Sequence, residues 1–311
     1  MIKKSFYINR TDNSGGPAIF GSRLKNYLVA NDYSWSALLP DYNLIFSYGI
    51  KRPKSYNILR MDGIYIDNNK KKNNGGVLNN KLSKIYHSTD LHIFQSRFSQ
   101  NLYEEFFGYC DSKKQIIHNG VPKQFNPLGD SYNYGFEKVL ITSARWVAHK
   151  RLDSIIEGFK YFKENSNIDL GLVILGDISN FEISITKDII CLGKVKPEDL
   201  PYYLRGANAF ISLSWLDNCP NSVVEALACG LPVLTSHNGG TKELVGDNGI
   251  IMEFESDYQY DFVNLYNPPL CQPSKVAHGI DLILKKSNEF QINQFQMNTV
   301  GLQYKDFINS I

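Results

Sequence analysis

The second half of the chain shows a regular alternation of apolar patterns. Short apolar runs of strand length alternate with segments whose apolar residues recur at helical spacing. The predicted strands are Lys138–Ser143, Leu170–Gly176, Asp188–Gly193, Ala209–Ser214 and Pro232–Ser236. The predicted helices are the segment with apolar residues at Leu152, Ile155, Ile156, Phe159 and Phe162, then Pro197–Arg205, then Ser222–Cys229. This alternation indicates a parallel sheet with helices on both faces, which binds ligands outside the carboxyl ends of its strands.

The first half gives weaker signals of the same kind. Apolar residues at Ile19, Leu24, Tyr27 and Leu28 predict a helix after the glycine-rich turn Asn9–Gly16. The short apolar segments of this half are Ser5–Ile8, Tyr42–Ser47, Tyr56–Met61 and Asp90–Gln95. The segment Asn68–Gly76 has no periodicity, so a surface loop is predicted there.

The length of the chain predicts two domains, since 311 residues exceed the usual size of one compact core. Two prolines and two glycines in His118–Asp130 mark the boundary. The predicted domains are therefore residues 1–128 and 129–290, followed by a C-terminal segment, 291–311.

Composition excludes several classes of protein. The chain is 43% hydrophobic and 21% charged, which is typical of globular proteins. No apolar run approaches the roughly 20 residues that span a bilayer, and the N-terminus lacks the apolar core of a signal peptide. A cytoplasmic protein is therefore expected. Five cysteines without a CxxC pair predict free thiols, and six scattered histidines predict no metal site.

Charge is distributed unevenly between the two halves. Residues 1–128 hold 18 lysines and arginines against 9 acidic residues, a net charge of +9, whereas residues 129–311 hold 15 against 22, a net charge of −7. A basic domain favours an anionic partner, for which an anionic membrane surface or a phosphorylated acceptor fits better than nucleic acid. A solvated lysine-rich surface explains the same asymmetry.

Two groups of residues are placed to bind a diphosphate. Arg145 and Lys150 follow the strand Lys138–Ser143, on the turn that leads into the next helix. Pro220 suits a first helical turn, so the backbone N–H groups of Asn221–Val223 should point away from the sheet edge. Cations and a helix N-terminus both attract phosphate.

Two carboxylates flank the start of that helix. Glu225 alone would be explained by the helix dipole, but Asp217 precedes the helix and is not needed for capping. Carboxylates beside a phosphate-binding helix are suited to accept hydrogen bonds from ribose and sugar hydroxyls. The pair Gly239-Gly240 would allow a close approach of backbone to ligand.

The motifs in this region resemble the retaining glycosyltransferases of family 4, which have the GT-B fold. That family carries a Glu-x7-Glu motif with an intervening proline, then a helix and Gly-x-Pro-Val; here Asp217, Pro220, Glu225 and Gly230–Val233 match it. Arg145 and Lys150 match the family's Arg and Lys. The other matching segments are Val173–Asp177, Cys191–Val195, Phe94–Gln100, Ile117–Pro127 and the glycine loop at Gly15-Gly16.

The resemblance implies two Rossmann-like domains that face each other across a donor/acceptor cleft, with a C-terminal helix that crosses back to the first domain. It implies sugar transfer, with retention, from a UDP- or GDP-linked donor to a glycan or lipid-linked acceptor, in surface polysaccharide or glycoconjugate synthesis. No metal and no further cofactor are expected. The expected donor contacts are Gly15, Gly16, Leu192, Gly193, Val195, Asn221, Ser222, Val223 and Glu225. The expected catalytic residues are Arg145, Lys150, Glu225, Asp217 and Asp62.

Two positions depart from the family pattern. Asp217 replaces the first glutamate, which shortens its reach by about one methylene, and no histidine of the first domain matches the one the family places near the donor sugar. Asp62, within Leu59–Asp67, occupies about that place and is the candidate for orienting the acceptor hydroxyl; a turn-forming Asp-Gly pair explains it equally.

Three alternatives remain at this point. A catalytically silent protein that binds nucleotide sugars would keep the site without turnover. A GT-B nucleotide-sugar epimerase would form product without an acceptor. A nucleic-acid binder drawn to the +9 half would show strongly salt-dependent affinity.

Overall fold

The computed structural model describes residues 3–11, 15–47, 49–68, 75–183, 186–286 and 293–311. Its strands and helices, numbered in chain order, form two parallel six-stranded sheets. None of the helices in these ranges is long and apolar enough to cross a bilayer.

The first sheet has the order β2-β1-β3-β4-β5-β6, and every pair in it is parallel. Its strands are β1 (Ser5–Ile8), β2 (Ser34–Trp35), β3 (Tyr42–Phe46), β4 (Tyr56–Met61), β5 (Leu91–Phe94) and β6 (Lys113–Ile116). Its helices are α1 (Gly16–Ala30), α2 (Gly75–Ser88) and α3 (Arg97–Phe107). The predicted loop Asn68–Gly76 is wrong at its end, because the pair Gly75-Gly76 forms the first turn of α2; its residues 69–74 lie outside the described ranges.

The second sheet has the order β12-β11-β10-β7-β8-β9 and is also parallel throughout. Its strands are β7 (Lys138–Ser143), β8 (Leu170–Leu175), β9 (Ile189–Gly193), β10 (Ala209–Ser212), β11 (Val233–Ser236) and β12 (Gly249–Met252). Its helices are α4 (Leu152–Glu164), α5 (Leu200–Arg205), α6 (Asn221–Ala228), α7 (Thr241–Val245) and α8 (Pro273–Leu284). The five strands and three helices predicted in this half correspond to β7–β11 and α4–α6, with ends that differ by up to three residues, whereas β12, α7 and α8 were not predicted.

Each sheet is covered by helices that bury its apolar side chains. In the second sheet, α5, α6 and α7 pack on one face, and α4 and α8 pack on the other. In the first sheet, Phe6 and Ile8 of β1 pack with α1 on one face, while Ile45 and Leu59 pack with α2 and α3 on the other. Runs of fully buried residues such as Leu170–Leu175 are what strands between two helical layers require.

The last helix, α9 (Met297–Asn309), packs on the first sheet although it follows the second. It contributes Met297, Val300 and Tyr304 to the cluster that contains α1. A bridge between Val121 and Gln296 joins the connection after β6 to the segment just before α9. The C-terminal helix therefore crosses back to the first sheet.

The two domains also touch where α3 begins. The backbone N–H groups of Arg97 and Phe98 donate to the carboxylate of Glu243 on α7, at 2.6 and 2.7 Å. The hydroxyl of Ser96 accepts from the N–H of Ser99 at 3.0 Å. The first amides of a helix have no partner within it, so a side chain of the second domain completes a helix of the first.

Candidate active site

A cavity of about 550 Å³ lies between α1 and the carboxyl edge of the second sheet. Ser143 at the end of β7, Gly176 after β8 and Val195 after β9 line it from the second domain. Arg23 of α1 and Glu225 of α6 line it as well. The cavity is therefore at the sheet edge where the alternation of strands and helices predicts a ligand.

Lys150 and Asp217 form an ion pair at this edge. The strands β7 and β10 are neighbours, so the turns that follow them run side by side. The backbone N–H of Trp215 donates to the carbonyl of His149 at 2.8 Å, which fixes the two turns together. Sequence analysis assigned Lys150 to a phosphate and Asp217 to a sugar, whereas in the structure each is the other's partner.

The charge of Lys150 influences the protonation states of Asp217 and His149. Burial alone would raise the pKa of Asp217, but Lys150, through its charge and its hydrogen bond, holds that pKa below its ordinary value. The pKa of His149 is lowered to about 4, first by burial and then by the charge of Lys150. At neutral pH, Asp217 is thus a carboxylate and His149 is uncharged.

Glu225 pairs with a residue that sequence analysis did not identify. The guanidinium of Arg23 donates to the Glu225 carboxylate at 2.5 Å and to the carbonyl of Gly120 at 3.2 Å. Burial raises the pKa of Glu225, and the charge of Arg23 opposes that rise. Arg23 is one position before the buried Leu24 in the predicted helix; the amphipathic pattern marked this helix, but no local signal reveals a partner in the other half of the chain.

The start of α6 contacts the glycine turn of the first domain. Asn221 donates through Nδ2 to the carbonyl of Gly16 at 3.3 Å and accepts through Oδ1 from Asn119 at 2.8 Å. Gly15 precedes α1 with φ 93°, a conformation that side-chain-bearing residues rarely adopt. The structure thus brings together two segments that sequence analysis assigned to the donor separately.

The N-terminus of α6 differs from the prediction by one residue. Pro220 lies just before the helix, not within its first turn. The backbone N–H of Val223 donates to the carbonyl of Pro220 at 3.1 Å. Of the three amides predicted to face a phosphate, that of Val223 is therefore already engaged, while those of Asn221 and Ser222 begin the helix.

The remaining donor-side predictions are distributed around the cavity. Arg145 is exposed and forms no ion pair with any residue in the described ranges. Val195 lines the cavity, whereas Leu192 packs against the hydrophobic core beneath it. Gly193, with φ 65°, accepts through its carbonyl from the N–H of Gly176 at 2.8 Å. Of these three predicted contacts, Val195 lines the cavity, and Leu192 and Gly193 are not among its lining residues.

Asp62 occupies a closed network and not an open surface. Its carboxylate pairs with Arg60 and accepts from Ser47 at 2.8 Å and from Gln95 at 3.0 Å. Its side chain is 4% exposed. Both oxygens are thus engaged by the protein, and a role of Asp62 in orienting the acceptor hydroxyl stays a prediction.

Arg60 connects this network to α6 and is a second residue that sequence analysis missed. Its guanidinium lies between the rings of Phe20 and Phe46, at 4.5 and 4.6 Å, and donates to Asn119. Asn119 in turn donates to the carbonyl of Cys219 at 2.9 Å and to Asn221. A buried arginine in a strand gives no functional signal in the sequence, because its partners come from distant segments.

The backbone of Asp217 and Asn218 lies close to the pair Gly239-Gly240. Gly239 has φ 108° and lies against the backbone of Asp217. The N–H of Gly240 donates to the Asp217 carbonyl at 2.7 Å, and a Cβ on Gly240 would collide with the carbonyl of Asn218. The two glycines therefore shape the turn that carries Asp217.

Among the described residues, no three His, Cys, Asp or Glu side chains cluster as a metal site.

Comparison with known proteins agrees with this geometry. Residues 131–261 match the family model of the glycosyl transferases group 1. Spore coat protein SA of Bacillus subtilis is 31% identical over 118 residues, which are 36% of this chain and 30% of that protein. An uncharacterized glycosyltransferase of Methanocaldococcus jannaschii is 26% identical over 175 residues, 53% of this chain and 46% of that protein. The matched segments thus span less than half the length of either relative.

Solved structures match the whole fold. Sucrose-phosphate synthase from Thermosynechococcus elongatus superposes with a TM-score of 0.74 at 13% identity, covering 99% of both chains. Anabaena HepE, solved in complex with UDP-glucose, superposes with a TM-score of 0.65 at 13% identity, covering 100% of both. The predicted GT-B fold is confirmed by two parallel sheets that match these neighbours. The match to the glycosyl transferases group 1 therefore covers residues 131–261 of the second domain, and the solved structures match the fold of both domains.

Proposed function

We propose that the protein transfers a sugar from a nucleotide-sugar donor to a hydroxyl of a glycan or lipid-linked acceptor, with retention at the anomeric carbon. The observation that carries the proposal is the cavity between the domains, where Glu225 and Arg23 meet beside the start of α6. A surface polysaccharide or glycoconjugate is the expected product, made at the cytoplasmic face of a membrane.

The donor diphosphate is assigned to the exposed Arg145, to Lys150 and to the N-terminal amides of α6. A helix N-terminus and cationic side chains favour phosphate by the same electrostatic attraction. Glu225 is assigned to the ribose hydroxyls and Val195 to the base, which is uracil or guanine. The UDP-glucose complex of the structural neighbour supports a nucleotide sugar in such a cleft.

The proposed reaction depends on stabilising the negative charge that develops on the leaving diphosphate. As the bond between sugar and diphosphate stretches, negative charge grows on the leaving phosphate, and cations already in place stabilise it. The ion pair with Asp217 supports this role, because it would hold the Lys150 ammonium in a fixed orientation. We expect no metal ion in the reaction, since Arg145, Lys150 and the helix terminus supply the positive charge. The acceptor hydroxyl then attacks from the side the diphosphate leaves, so its oxygen forms the new glycosidic bond while its proton passes to the departing phosphate oxygen.

The test has a binding arm and a turnover arm. Calorimetry with a panel of UDP- and GDP-sugars should find one donor that binds, and incubation with acceptor glycans should release the nucleoside diphosphate. Lys150→Ala should lower turnover by orders of magnitude, whereas Lys285→Ala, which removes a cation paired with Asp281 on the surface of α8, should not. Turnover of Lys150→Ala near wild type would overturn the diphosphate assignment.

Two other outcomes identify the alternative functions. Donor binding without transfer to any acceptor would indicate a silent nucleotide-sugar-binding protein. Conversion of the donor without any acceptor would indicate an epimerase. Absence of binding by every nucleotide sugar would reject the proposal altogether.

A further inference from the structure

A larger cavity, of about 750 Å³, lies on the first domain away from the candidate active site. It is formed by the segment after β2 and by residues 49–55, which connect β3 to β4. Its lining residues are Tyr7, Asn9, Leu38, Leu39, Gly49, Ile50, Lys51, Arg52, Pro53, Lys54 and Ser55. We call the surface formed by Leu38, Leu39, Ile50, Lys51, Arg52 and Lys54 the basic apolar patch.

In the part of the first sheet next to this patch, a short connection stands where a covering helix would ordinarily lie. Alternate residues of a strand point to opposite faces, so Phe6 and Ile8 pack with α1 and α9 while Tyr7 faces the patch. The connection from β3 to β4 spans only residues 47–55, and no helix occurs in its described part. Parallel strands are ordinarily joined by a crossover helix that covers the sheet. Here the cover is a short segment with an open cavity.

The apolar side chains of the patch face solvent. Leu38 is 86% exposed, Leu39 is 75% exposed and Ile50 is 85% exposed. They come from two separate segments and converge on one cavity. Such a group is costly in water, which makes it a candidate contact surface and not a random scatter of exposed residues.

The patch is held in shape by the protein and keeps its positive charge. The guanidinium of Arg52 donates to the carbonyls of Ala37 and Leu38, at 2.6 and 3.2 Å, and lies 4.3 Å from the ring of Tyr7. Lys51 donates to the carbonyl of Ser88. In the described part of the chain, none of the three cations of the patch forms an ion pair, and no carboxylate lines the cavity.

The neighbouring carboxylate is directed elsewhere. Oδ2 of Asp41 accepts from the backbone N–H and the hydroxyl of Ser5, at 2.6 and 2.9 Å. Three exposed or half-exposed cations thus surround three exposed aliphatic side chains. This is the combination that binds an anionic lipid surface, where apolar residues enter the headgroup region and cations meet the phosphates.

We propose that the basic apolar patch docks the protein on an anionic lipid bilayer. The proposal rests on the proposed function in one respect, because a docked first domain would meet a lipid-linked acceptor at the membrane. A bilayer is the expected partner because the positive charge of the patch complements anionic lipid and because its leucines are exposed enough to insert. A second copy of the chain would place the same cations against each other.

The test is sedimentation of the purified protein with vesicles. Vesicles of phosphatidylglycerol and phosphatidylcholine in equal parts should bind it, and vesicles of phosphatidylcholine alone should bind it at least about tenfold more weakly. The double variant L38S/L39S should bind the anionic vesicles at least about tenfold more weakly than wild type. Lys54→Glu should weaken binding by about fivefold or more, and added salt should do the same.

Matched controls use the second domain. Leu270 is 82% exposed, and Lys187 is an exposed cation; Leu270→Ser and Lys187→Glu should bind vesicles as wild type does. Equal binding by L38S/L39S and wild type would overturn the proposal, and so would equal binding to both kinds of vesicle. Self-association that L38S/L39S abolishes, without vesicle binding, would reassign the patch to a second copy.

Donor binding separates this proposal from the proposed function. L38S/L39S should retain the nucleotide-sugar affinity of wild type, because neither leucine lines the cavity between the domains. Vesicle binding lost with donor binding retained would confirm the patch alone. Vesicle binding by a protein that binds no nucleotide sugar would support membrane docking through the patch and would reject the transferase proposal.

Discussion

The guanidinium of Arg23 lies 2.5 Å from the carboxylate of Glu225, across the cleft between the two domains. Each side chain is 10% exposed, and the two residues are 202 positions apart in the chain. The ion pair lines the cavity, so the contact that joins α1 to α6 is also part of the candidate active site. The two side chains that join the domains are therefore also the ones on which the proposed donor binding would depend.

Arg23→Met should destabilise the protein and weaken donor binding. It would leave the buried Glu225 carboxylate without its cation, and removal of one partner of a buried ion pair costs about 3–5 kcal/mol. Chemical denaturation measures the loss. The double variant R23M/E225Q, which removes the unpaired charge as well, should recover part of it.

The control for Arg23→Met is a pair at the surface. Lys160 pairs with Glu157 along α4 at 2.9 Å, with side chains 26 and 57% exposed. Lys160→Met should change stability by less than about 1 kcal/mol. Equal losses for Arg23→Met and Lys160→Met would contradict the burial argument.

Gly15→Ala should strain the turn before α1 without any steric clash. Gly15 has φ 93°, and a Cβ at this position would meet nothing within 4 Å, so the whole cost is conformational. That cost is about 1–3 kcal/mol, and relaxation of the turn would move Gly16 away from Asn221. Thermal melting and donor calorimetry should both report it.

Gly76 is the matched control for Gly15. It lies in the first turn of α2, and a Cβ there also meets nothing within 4 Å, but its φ is not positive. Gly76→Ala should leave stability unchanged or raise it by up to about 1 kcal/mol, because alanine favours a helix. A Gly15→Ala protein as stable as Gly76→Ala would show that the turn tolerates side chains.

Tyr304→Phe should loosen the attachment of α9. The buried Nε of Arg60 donates to the Tyr304 hydroxyl at 3.1 Å, and its removal leaves a buried donor unpaired, at a cost of about 1–3 kcal/mol. Tyr202→Phe, at a residue 38% exposed, should change stability by less than about 0.5 kcal/mol. Deletion of the chain from Gly301 should lower the melting temperature far more than either, and an unchanged melt would count against a structural role for α9.

His149 should make stability fall as the pH falls. Its pKa is lowered to about 4 in the folded protein, below the ordinary value of 6.5 that it has in the unfolded chain. Between these values the unfolded chain takes up a proton that the native state does not, so stability decreases toward acid by up to about 1.4 kcal/mol per pH unit. Denaturation at several pH values should show a slope smaller by that amount for His149→Gln.

The control for His149 lies in the first sheet. Burial also lowers the pKa of His92 to about 4, so His92→Gln should reduce the slope in the same direction. Because His92 does not line the cavity between the domains, this variant should keep the donor affinity of wild type. A His149→Gln slope identical to that of wild type would reject the assignment.

The second domain could be predicted well from the sequence because each of its patterns is local. A strand such as β8 is a continuous apolar run, and α4 has its apolar residues at helical spacing. The short elements that were not predicted are β2, β6, β12 and α7, which have two, four, four and five residues. Elements this short contain too few periods of either pattern to be recognised.

Individual residues of the candidate site could be named from the sequence, but the partners of their side chains could not. Lys150, Asp217 and Glu225 were all identified, yet their partners come from neighbouring strand ends or from the other domain. Arg23, Arg60 and Asn119 were not identified: Asn119 lies within the matching segment Ile117–Pro127, but no pattern in the sequence marks any of the three individually. Their roles arise only when segments of the chain more than 50 residues apart are brought into contact.

The hydrogen bonds from the first amides of α3 to the carboxylate of Glu243 couple the unfolding of the two domains. A helix of the first domain begins on a side chain of the second, and the last helix of the chain belongs to the core of the first. Neither domain is therefore a self-sufficient stretch of chain. The whole molecule should melt cooperatively, as a single calorimetric transition, and residues 1–128 expressed alone should not fold to a native state.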